Sequence, residues 1–365
     1  MNYEEFRNKL AEDLQEALYE RGFEDVSIKF NDTTKANVSY EAMTVTPAGS
    51  NIGISLNTEA FFEEYDKGMD FSEVLSRVTE VATSALDQMP EVNVSELTDY
   101  DQMKSKLSVE VISQEANKEL LENVPHKDIE DMAIIYRFVI DDGPQGMQSI
   151  TVTNNLMENM GVTPEQLHAD AIANAPEMRP PVIKGMTEII KEMMGEEMFA
   201  MFGESMQPDG HEMMYVATTP DKINGAGIIA YPEFMQLAAE QLNGDFYLLP
   251  SSRHKVILVK DDGGMNFEQL QDMVREVNAT EVSAADKLTD NVYHYDSVDK
   301  VFELAADYED RQNAKEADLG EKGSVLKNLG DKKKEVADRP AKEVSEKATK
   351  GISSSIFWLL FTTHL

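Results

Sequence analysis

Apolar side chains in the first part of the chain follow first a helical spacing and then a strand spacing. Phe6, Leu10, Leu14, Ala17 and Leu18 lie three or four residues apart or side by side, which predicts a helix with one buried face. Strict alternation over 26–30, continued at 38–45 and 52–56, predicts three strands. We therefore expect residues 1–57 to form a helix followed by a β-meander.

A second amphipathic helix is predicted over 71–87, with Asp70 or Ser72 as its N-cap. Its expected buried face contains Phe71, Val74, Leu75, Val78, Val81, Ala82 and Leu86.

The remaining segments continue the mixture of strands and helices. The apolar run 132–140 and the alternating run 149–153 predict a hairpin, and Thr163-Pro164 predicts a helix start. Four more strands are expected at 213–217, 227–230, 246–249 and 255–259, with helices at 232–243 and, capped by Asn266, up to 277. Strands come in runs and helices in runs, which favours an α+β fold of mostly antiparallel sheets with packed helices. We expect two α+β halves, 1–145 and 146–306.

The composition changes after residue 306. Residues 307–350 carry 11 acidic and 11 basic side chains and almost no aromatic ones, which predicts a charged flexible tail, disordered or helical. Residues 351–365 carry no Asp, Glu, Lys or Arg and include the apolar run 356–361. This end is too short to span a membrane, and we interpret it as a non-native C-terminus, the alternative being a segment that docks on a membrane or a partner.

Charge and cysteine content exclude several classes of protein. The 365 residues contain 68 Asp and Glu, 33 Lys and Arg, and no Cys, so disulfides and thiolate-bound metals are excluded. All of the net charge of −35 lies in the first 306 residues, which disfavours direct binding to nucleic acid or anionic membranes. The N-terminus lacks the pattern of a signal peptide, so a cytoplasmic location is expected.

Chemically suggestive residues are few. Ser251, Ser252, Arg253 and His254 gather between two predicted strands and, with His126, are the candidate contacts for a ligand or partner. A zinc-protease helix needs a second His four residues after His211, where Tyr215 stands instead. A nucleophilic Ser needs a base and a group that orients it, and a Ser two residues from its His in a tight turn rarely has that geometry. We therefore predict no catalytic residue, no metal and no cofactor.

Three segments carry a resemblance to a known family. They are 124–126 with 131–136, 244–254, and 273–278 with 288–296. In combination they resemble a bacterial domain-of-unknown-function family, number 5688, common in gut Firmicutes, over roughly residues 1–300. The family has no established activity. Its members often carry an acidic residue after the His that ends the segment 244–254. This chain has Lys255 at that position, which weakens the case for a His–carboxylate pair there.

Three functional hypotheses remain. The favoured one is a non-enzymatic protein that acts through contacts with a protein partner. The expected partner has a basic surface, which complements the acidic surface of this chain, and the expected gene is carried by a mobile element. The first alternative is a metal-free enzyme or small-ligand binder that uses 250–254 and His126. The second alternative is an acidic mimic of nucleic acid, which needs carboxylates in two rows at phosphate-like spacing.

Overall fold

The structure is a computed structural model and describes residues 1–50, 53–89, 97–143, 146–195, 199 and 212–315. The chain forms two units. Unit 1 consists of Met1–Ser105, Asn117–Val124 and Thr153–Thr163, and unit 2 of Lys106–Ala116, Pro125–Val152 and the chain from Pro164 onward. The predicted boundary between residues 145 and 146 falls inside a hairpin of unit 2. The division into the halves 1–145 and 146–306 stays a prediction.

Unit 1 combines a three-stranded sheet with helices. Its elements are α1 (Tyr3–Glu20), β1 (Val26–Lys35), β2 (Val38–Pro47), β3 (Ile54–Asn57), α2 (Thr58–Asp66), α3 (Phe71–Asp87), α4 (Tyr100–Met103), α5 (Lys118–Asn123) and α6 (Asn154–Met160). The predicted face of α1 is buried, and its Phe6 and Leu10 pack against Val74 and Val78 of α3. This shared core fixes α1 and α3 against the sheet.

Unit 2 contains two antiparallel sheets. The first is built from β4 (Leu107–Ser113), β5 (His126–Ile129), β6 (Met132–Gly143) and β7 (Gly146–Thr151), with β4, β5 and β7 all paired to β6. The second has the order β13-β12-β10-β11-β9-β8, from β8 (Val182–Gly185), β9 (Met214–Thr218), β10 (Phe246–Ser252), β11 (Lys255–Lys260), β12 (Tyr293–Asp296) and β13 (Val301–Leu304). Every strand pairing in the described ranges is antiparallel, which confirms the α+β prediction.

Five helices complete unit 2 in the described residues: α7 (Pro164–Met178), α8 (Met186–Met194), α9 (Phe234–Leu242), α10 (Phe267–Thr280) and α11 (305–315). Leu270 and Val274 of α10 and Ile189 of α8 bury against Leu249 and Ile257 of the second sheet. α10 begins at the predicted cap, where the Asn266 side chain accepts a hydrogen bond from the Gln269 backbone at 3.0 Å. None of the helices in the described part is long and apolar enough to cross a membrane.

One predicted strand is wrong. Residues 227–230 belong to a 3₁₀ helix, Gly225–Ala230, that lies against the turn between β10 and β11. The backbone of Gly225 comes so close that an added Cβ would lie 2.1 Å from Thr218 Oγ1 and 2.4 Å from the His254 carbonyl. The Ala226 N–H donates to the Arg253 carbonyl at 3.1 Å, so this segment closes over the turn instead of joining a sheet.

The first residues of the expected charged tail are ordered as helix α11. Arg311 donates hydrogen bonds to Glu303, Asp299 and Asp296 at 2.8 to 3.0 Å, and Tyr308 stacks on His294. These contacts hold the helix on strands β12 and β13. The rest of the expected tail and the apolar end 351–365 lie outside the described residues.

Candidate functional site

The four candidate residues 251–254 form the end of β10 and a two-residue turn into β11. Ser251 and Ser252 are buried, whereas Arg253 and His254 occupy the turn and are partly exposed. A register shift between Leu249 and Ser252 interrupts the β10–β11 pairing just before this turn. Such irregularities redirect side chains out of the regular alternation of a strand. The turn therefore presents polar side chains at the end of an otherwise apolar hairpin.

His254 is held through both ring nitrogens. Its Nδ1 accepts a hydrogen bond from the Asn224 backbone N–H at 3.1 Å, and its Nε2 lies 3.1 Å from Asp286 Oδ1. Because a backbone N–H can only donate, Nδ1 carries the lone pair and Nε2 carries the proton given to Asp286. Lys255 argued against a carboxylate partner next to His254 in the sequence, but Asp286 supplies one from 32 residues further along the chain.

The carboxyl group of Asp286 is adapted to this contact. Burial by itself would raise its pKa, but hydrogen bonds from Ser283 and His254, together with the positive charge of Arg253, outweigh burial and lower the pKa. The Arg253 backbone N–H also donates to the Asp286 carbonyl at 2.9 Å. Asp286 thus fixes both residues of the turn.

Glu110 is a fully buried carboxylate of β4 that meets two arginines. Its Oε2 accepts a hydrogen bond from Arg137 Nη1 at 2.7 Å, and its Oε1 lies 3.5 Å from Arg253 Nη1. The second distance is an ion-pair contact, longer than a charge-assisted hydrogen bond of about 2.7–2.9 Å. Arg253 Nε lies 3.9 Å from Asp286 Oδ1, so one guanidinium connects the two acidic side chains loosely. We call Ser108, Glu110, Arg137, Asn224, Asp286 and residues 251–254 the hairpin cluster.

Buried polar atoms without a hydrogen-bond partner concentrate in the hairpin cluster. Of eleven such side-chain atoms in the described part of the chain, five belong to the cluster: Ser108 Oγ, Glu110 Oε1, Asn224 Oδ1, Ser251 Oγ and Arg253 Nε. Ser108 pairs with Arg137 across β4 and β6 and lies two residues from Glu110, so it shares their face of the sheet. Proteins leave few buried polar groups unsatisfied, because each costs about 1–3 kcal/mol. The cluster is therefore equipped to receive further hydrogen-bonding groups.

His126 begins β5 and is exposed. It pairs with Ile135 of β6, and Ile135 pairs on its other side with Glu110. Paired residues of antiparallel strands project to the same face, so His126 shares the sheet face of Glu110, with Cα atoms about 10 Å apart. The structure brings residues 251–254 together with Glu110. His126 is separated from Glu110 by strand β6.

The arrangement suits binding better than nucleophilic catalysis. The lone pair that His254 would need as a base is engaged by the Asn224 N–H, and Ser252 Oγ already accepts the His254 backbone N–H at 3.1 Å. A serine nucleophile requires that imidazole lone pair on its hydroxyl. The formal charges of Arg137 and Arg253 cancel those of Glu110 and Asp286, so the cluster offers both signs of charge at short range.

Sequence reasoning missed five members of the cluster: Ser108, Glu110, Arg137, Asn224 and Asp286. One signal was present, because Glu110 and Arg137 each interrupt an apolar strand with a charge, and charges are rarely buried unless paired. Opposite charges in two such strands point to a cross-strand pair. Asn224 and Asp286 lie in loops, where nothing local indicates that they meet His254.

A second buried histidine lies outside the hairpin cluster. His294 of β12 is fully buried, its Nε2 lies 3.1 Å from Asp261 Oδ2, and its Nδ1 has no hydrogen-bond partner among the described residues. Tyr308 of α11 stacks on the imidazole with 3.5 Å between ring centroids. The hydrogen bond from His294 is the largest influence on Asp261 and lowers the pKa of its carboxyl group. The stacking of Tyr308 on His294 ties α11 to the second sheet.

Metal binding has no support from the geometry of the described ranges. Within them, no three His, Asp or Glu side chains gather in a way that could hold a metal ion.

The model of a family described as "Family of unknown function (DUF5688)" matches residues 3–297, which include parts of both units and the whole hairpin cluster. No curated protein and no solved structure shows significant similarity to the chain. The match confirms the family suggested by the three sequence segments. The chain belongs to this family of unknown function, DUF5688.

Proposed function

We propose that the protein binds a small polar ligand at the hairpin cluster. The observation that carries this proposal is the fully buried Glu110, whose Oε1 has no hydrogen-bond partner in the described residues although two arginines flank it. A buried carboxylate oxygen left in this way is destabilising unless a further donor reaches it. Four more buried polar atoms of the same cluster share this property.

Access is provided by the turn. The side chain of Arg253 is 23% exposed and touches Glu110, so a ligand reaching the carboxylate from solvent passes this guanidinium. The turn itself is fixed by His254, Asn224 and Asp286. A preformed site of this kind loses little conformational entropy on binding, which favours affinity for small ligands.

A role in protein contacts is the second candidate, and the charge distribution supports it. The first 306 residues carry 57 of the 68 acidic and 22 of the 33 basic side chains, since 11 of each lie in 307–350. A surface of this charge accelerates encounter with a basic protein partner. The acidic nucleic-acid mimic, the mobile-element setting, the cytoplasmic location and the gut Firmicutes host stay predictions.

Ligand binding is tested by thermal unfolding of the whole chain against separate pools of amino acids, sugars and polyols, nucleosides, and dicarboxylates. A ligand that binds only the native state raises the unfolding temperature in a saturable way. We expect one pool to do so for the wild type and for Arg275→Gln, an exposed arginine in a surface contact with Asp272. The same pool should have no effect on Arg253→Gln. If no pool shifts the wild type, or if Arg253→Gln responds like Arg275→Gln, the proposal is wrong.

A further inference from the structure

The chemistry of the hairpin cluster restricts what can bind there. Two of its buried atoms without a partner in the described residues are acceptors only, Glu110 Oε1 and Asn224 Oδ1. One is a donor only, Arg253 Nε, and the hydroxyls of Ser108 and Ser251 can act either way. A complementary ligand must therefore present donors to the two acceptor oxygens and an acceptor to the guanidinium.

Ligands with only one kind of polar group do not meet this requirement. A sulfate presents acceptors to Arg253 but leaves Glu110 Oε1 without a donor and places two negative charges side by side. A polyamine presents donors to Glu110 but meets the guanidinium with like charge. In each case part of the buried cluster keeps its desolvation penalty.

The short distance between the charges of Glu110 and Arg253 further restricts the class of ligands that fit. Glu110 Oε1 and Arg253 Nη1 lie 3.5 Å apart, so we expect the ligand to carry its positive and negative groups close together. The α-ammonium and α-carboxylate of an amino acid are separated by a single carbon. A neutral polyol can satisfy the same donors and acceptors, but it makes no use of the two charges, and hydrogen bonds to charged groups are the stronger ones.

On these grounds, and resting on the proposed ligand-binding function, we infer that the ligand is an α-amino acid or a close zwitterionic analogue. Its ammonium group donates to Glu110 Oε1 and Asn224 Oδ1, and its carboxylate accepts from Arg253 and from the Ser251 hydroxyl. Arg137 keeps its hydrogen bond to Glu110 Oε2 and holds the carboxylate in place. Because the Arg253 side chain is partly exposed, the side chain of the ligand would point past it toward solvent.

Calorimetric titration tests this inference with individual amino acids and with two blocked forms of each one that binds. N-acetylation removes the ammonium charge, and amidation removes the carboxylate charge. We expect either modification to weaken binding by about tenfold or more, because each removes a hydrogen bond between charged groups. Glu110→Gln should show the same loss for the unmodified amino acid while discriminating less against the acetylated one. Arg275→Gln should match the wild type.

Two variants keep the test decisive. Glu110→Gln removes the charge partner of Arg137, and its unfolding temperature shows whether it folds. Should it not fold, Ser251→Ala takes its place, since this serine has no hydrogen bond to lose in the described structure, and it should weaken the carboxylate contact. Equal binding of blocked and unblocked forms, or binding of polyols alone, overturns the amino-acid inference but leaves ligand binding intact. Absence of binding by every pool overturns the proposed function itself.

Discussion

His254 donates from Nε2 to Asp286 while Nδ1 receives the backbone N–H of Asn224, so the imidazole joins two loops through its two nitrogens. This geometry permits only the tautomer with its proton on Nε2. Long-range ¹H–¹⁵N correlation spectra of the neutral imidazole should therefore show a protonated Nε2 and an unprotonated Nδ1. A proton on Nδ1 would contradict the contact with Asn224 and reopen a catalytic role for His254.

The neighbouring serines 251 and 252 should respond differently to the same substitution. Ser251 Oγ is buried without a partner in the described residues, so Ser251→Ala should leave the free energy of unfolding unchanged or raise it by up to about 1 kcal/mol. Ser252 Oγ accepts the His254 N–H, so Ser252→Ala should lower it by about 1 kcal/mol. Urea unfolding measures both. Equal losses would show that Ser251 has a structural partner and no ligand role.

Arg179 holds the loop that carries Asn224. Its guanidinium donates to Thr219 at 3.1 Å, to both oxygens of Asp221 at 2.7 and 2.8 Å, and to the Ile223 carbonyl. Arg179→Met leaves Asp221 without its cation and should lower the free energy of unfolding by about 3–5 kcal/mol. The double variant with Asp221→Val should recover part of this loss. A change below about 0.5 kcal/mol for Arg179→Met would show that the loop does not depend on it.

Lys255 should make stability depend on alkaline pH. Burial, and to a smaller degree the charge of Lys222, lowers the pKa of its ammonium group to about 8, against about 10.4 in an unfolded chain. Between these values the unfolded state binds more protons, so the native state gains stability as pH rises. Below pH about 8 the destabilisation of the native state by the buried ammonium group is fully present. The advantage of Lys255→Met over wild type should shrink by on the order of 3 kcal/mol across this window.

Urea unfolding at a series of pH values measures that difference. Lys67→Met is the matched control, because Lys67 is exposed in a surface pair with Glu63. Its difference from wild type should stay flat across the same window. A flat difference for Lys255→Met as well would show that Lys255 titrates like an exposed lysine.

The stacking of Tyr308 on His294 should be needed to keep α11 in place. Tyr308→Ala removes a contact with 15° between the ring planes and uncovers a buried imidazole, which should lower the free energy of unfolding by about 1–3 kcal/mol. Hydrogen exchange should also speed up at the amides of β12. Val298→Ala, at a side chain that is 84% exposed, should change neither quantity. Unchanged exchange in Tyr308→Ala would mean that Arg311 alone anchors the helix.

Local signals predicted the parts of the fold that depend on local chemistry. Asp70 caps α3 and Asn266 caps α10 because short polar side chains satisfy the first backbone N–H groups of a helix. The buried stripe of α1 follows from its spacing. The stripe expected on α3 was too wide, since Val81 is 43% exposed. The neighbouring elements decide which edge of an apolar stripe is buried. The sequence of the helix alone does not give the positions of those elements.

The candidate site was predicted only in part for the same reason. Residues 251–254 were recognisable because four polar side chains follow an apolar strand. Their partners come from β4, from the loop before the 3₁₀ helix and from the loop after α10. A strand was expected at 227–230, and the close approach of Gly225 to the His254 carbonyl explains why a 3₁₀ helix replaces it.

The path of the chain between the two units constrains how such a protein can be made and inherited. It changes unit at residues 105/106, 116/117, 124/125, 152/153 and 163/164. Because the segments of the two units alternate along the chain, no single cut in the gene separates one complete unit from the other. A single recombination event therefore cannot transfer one unit without part of the other. During synthesis the hairpin cluster stays incomplete until Asp286 has left the ribosome, although Glu110 emerges far earlier. Between the emergence of Glu110 and that of Arg253, the nascent chain therefore carries a charged β4 that has only Arg137 of its two arginine partners.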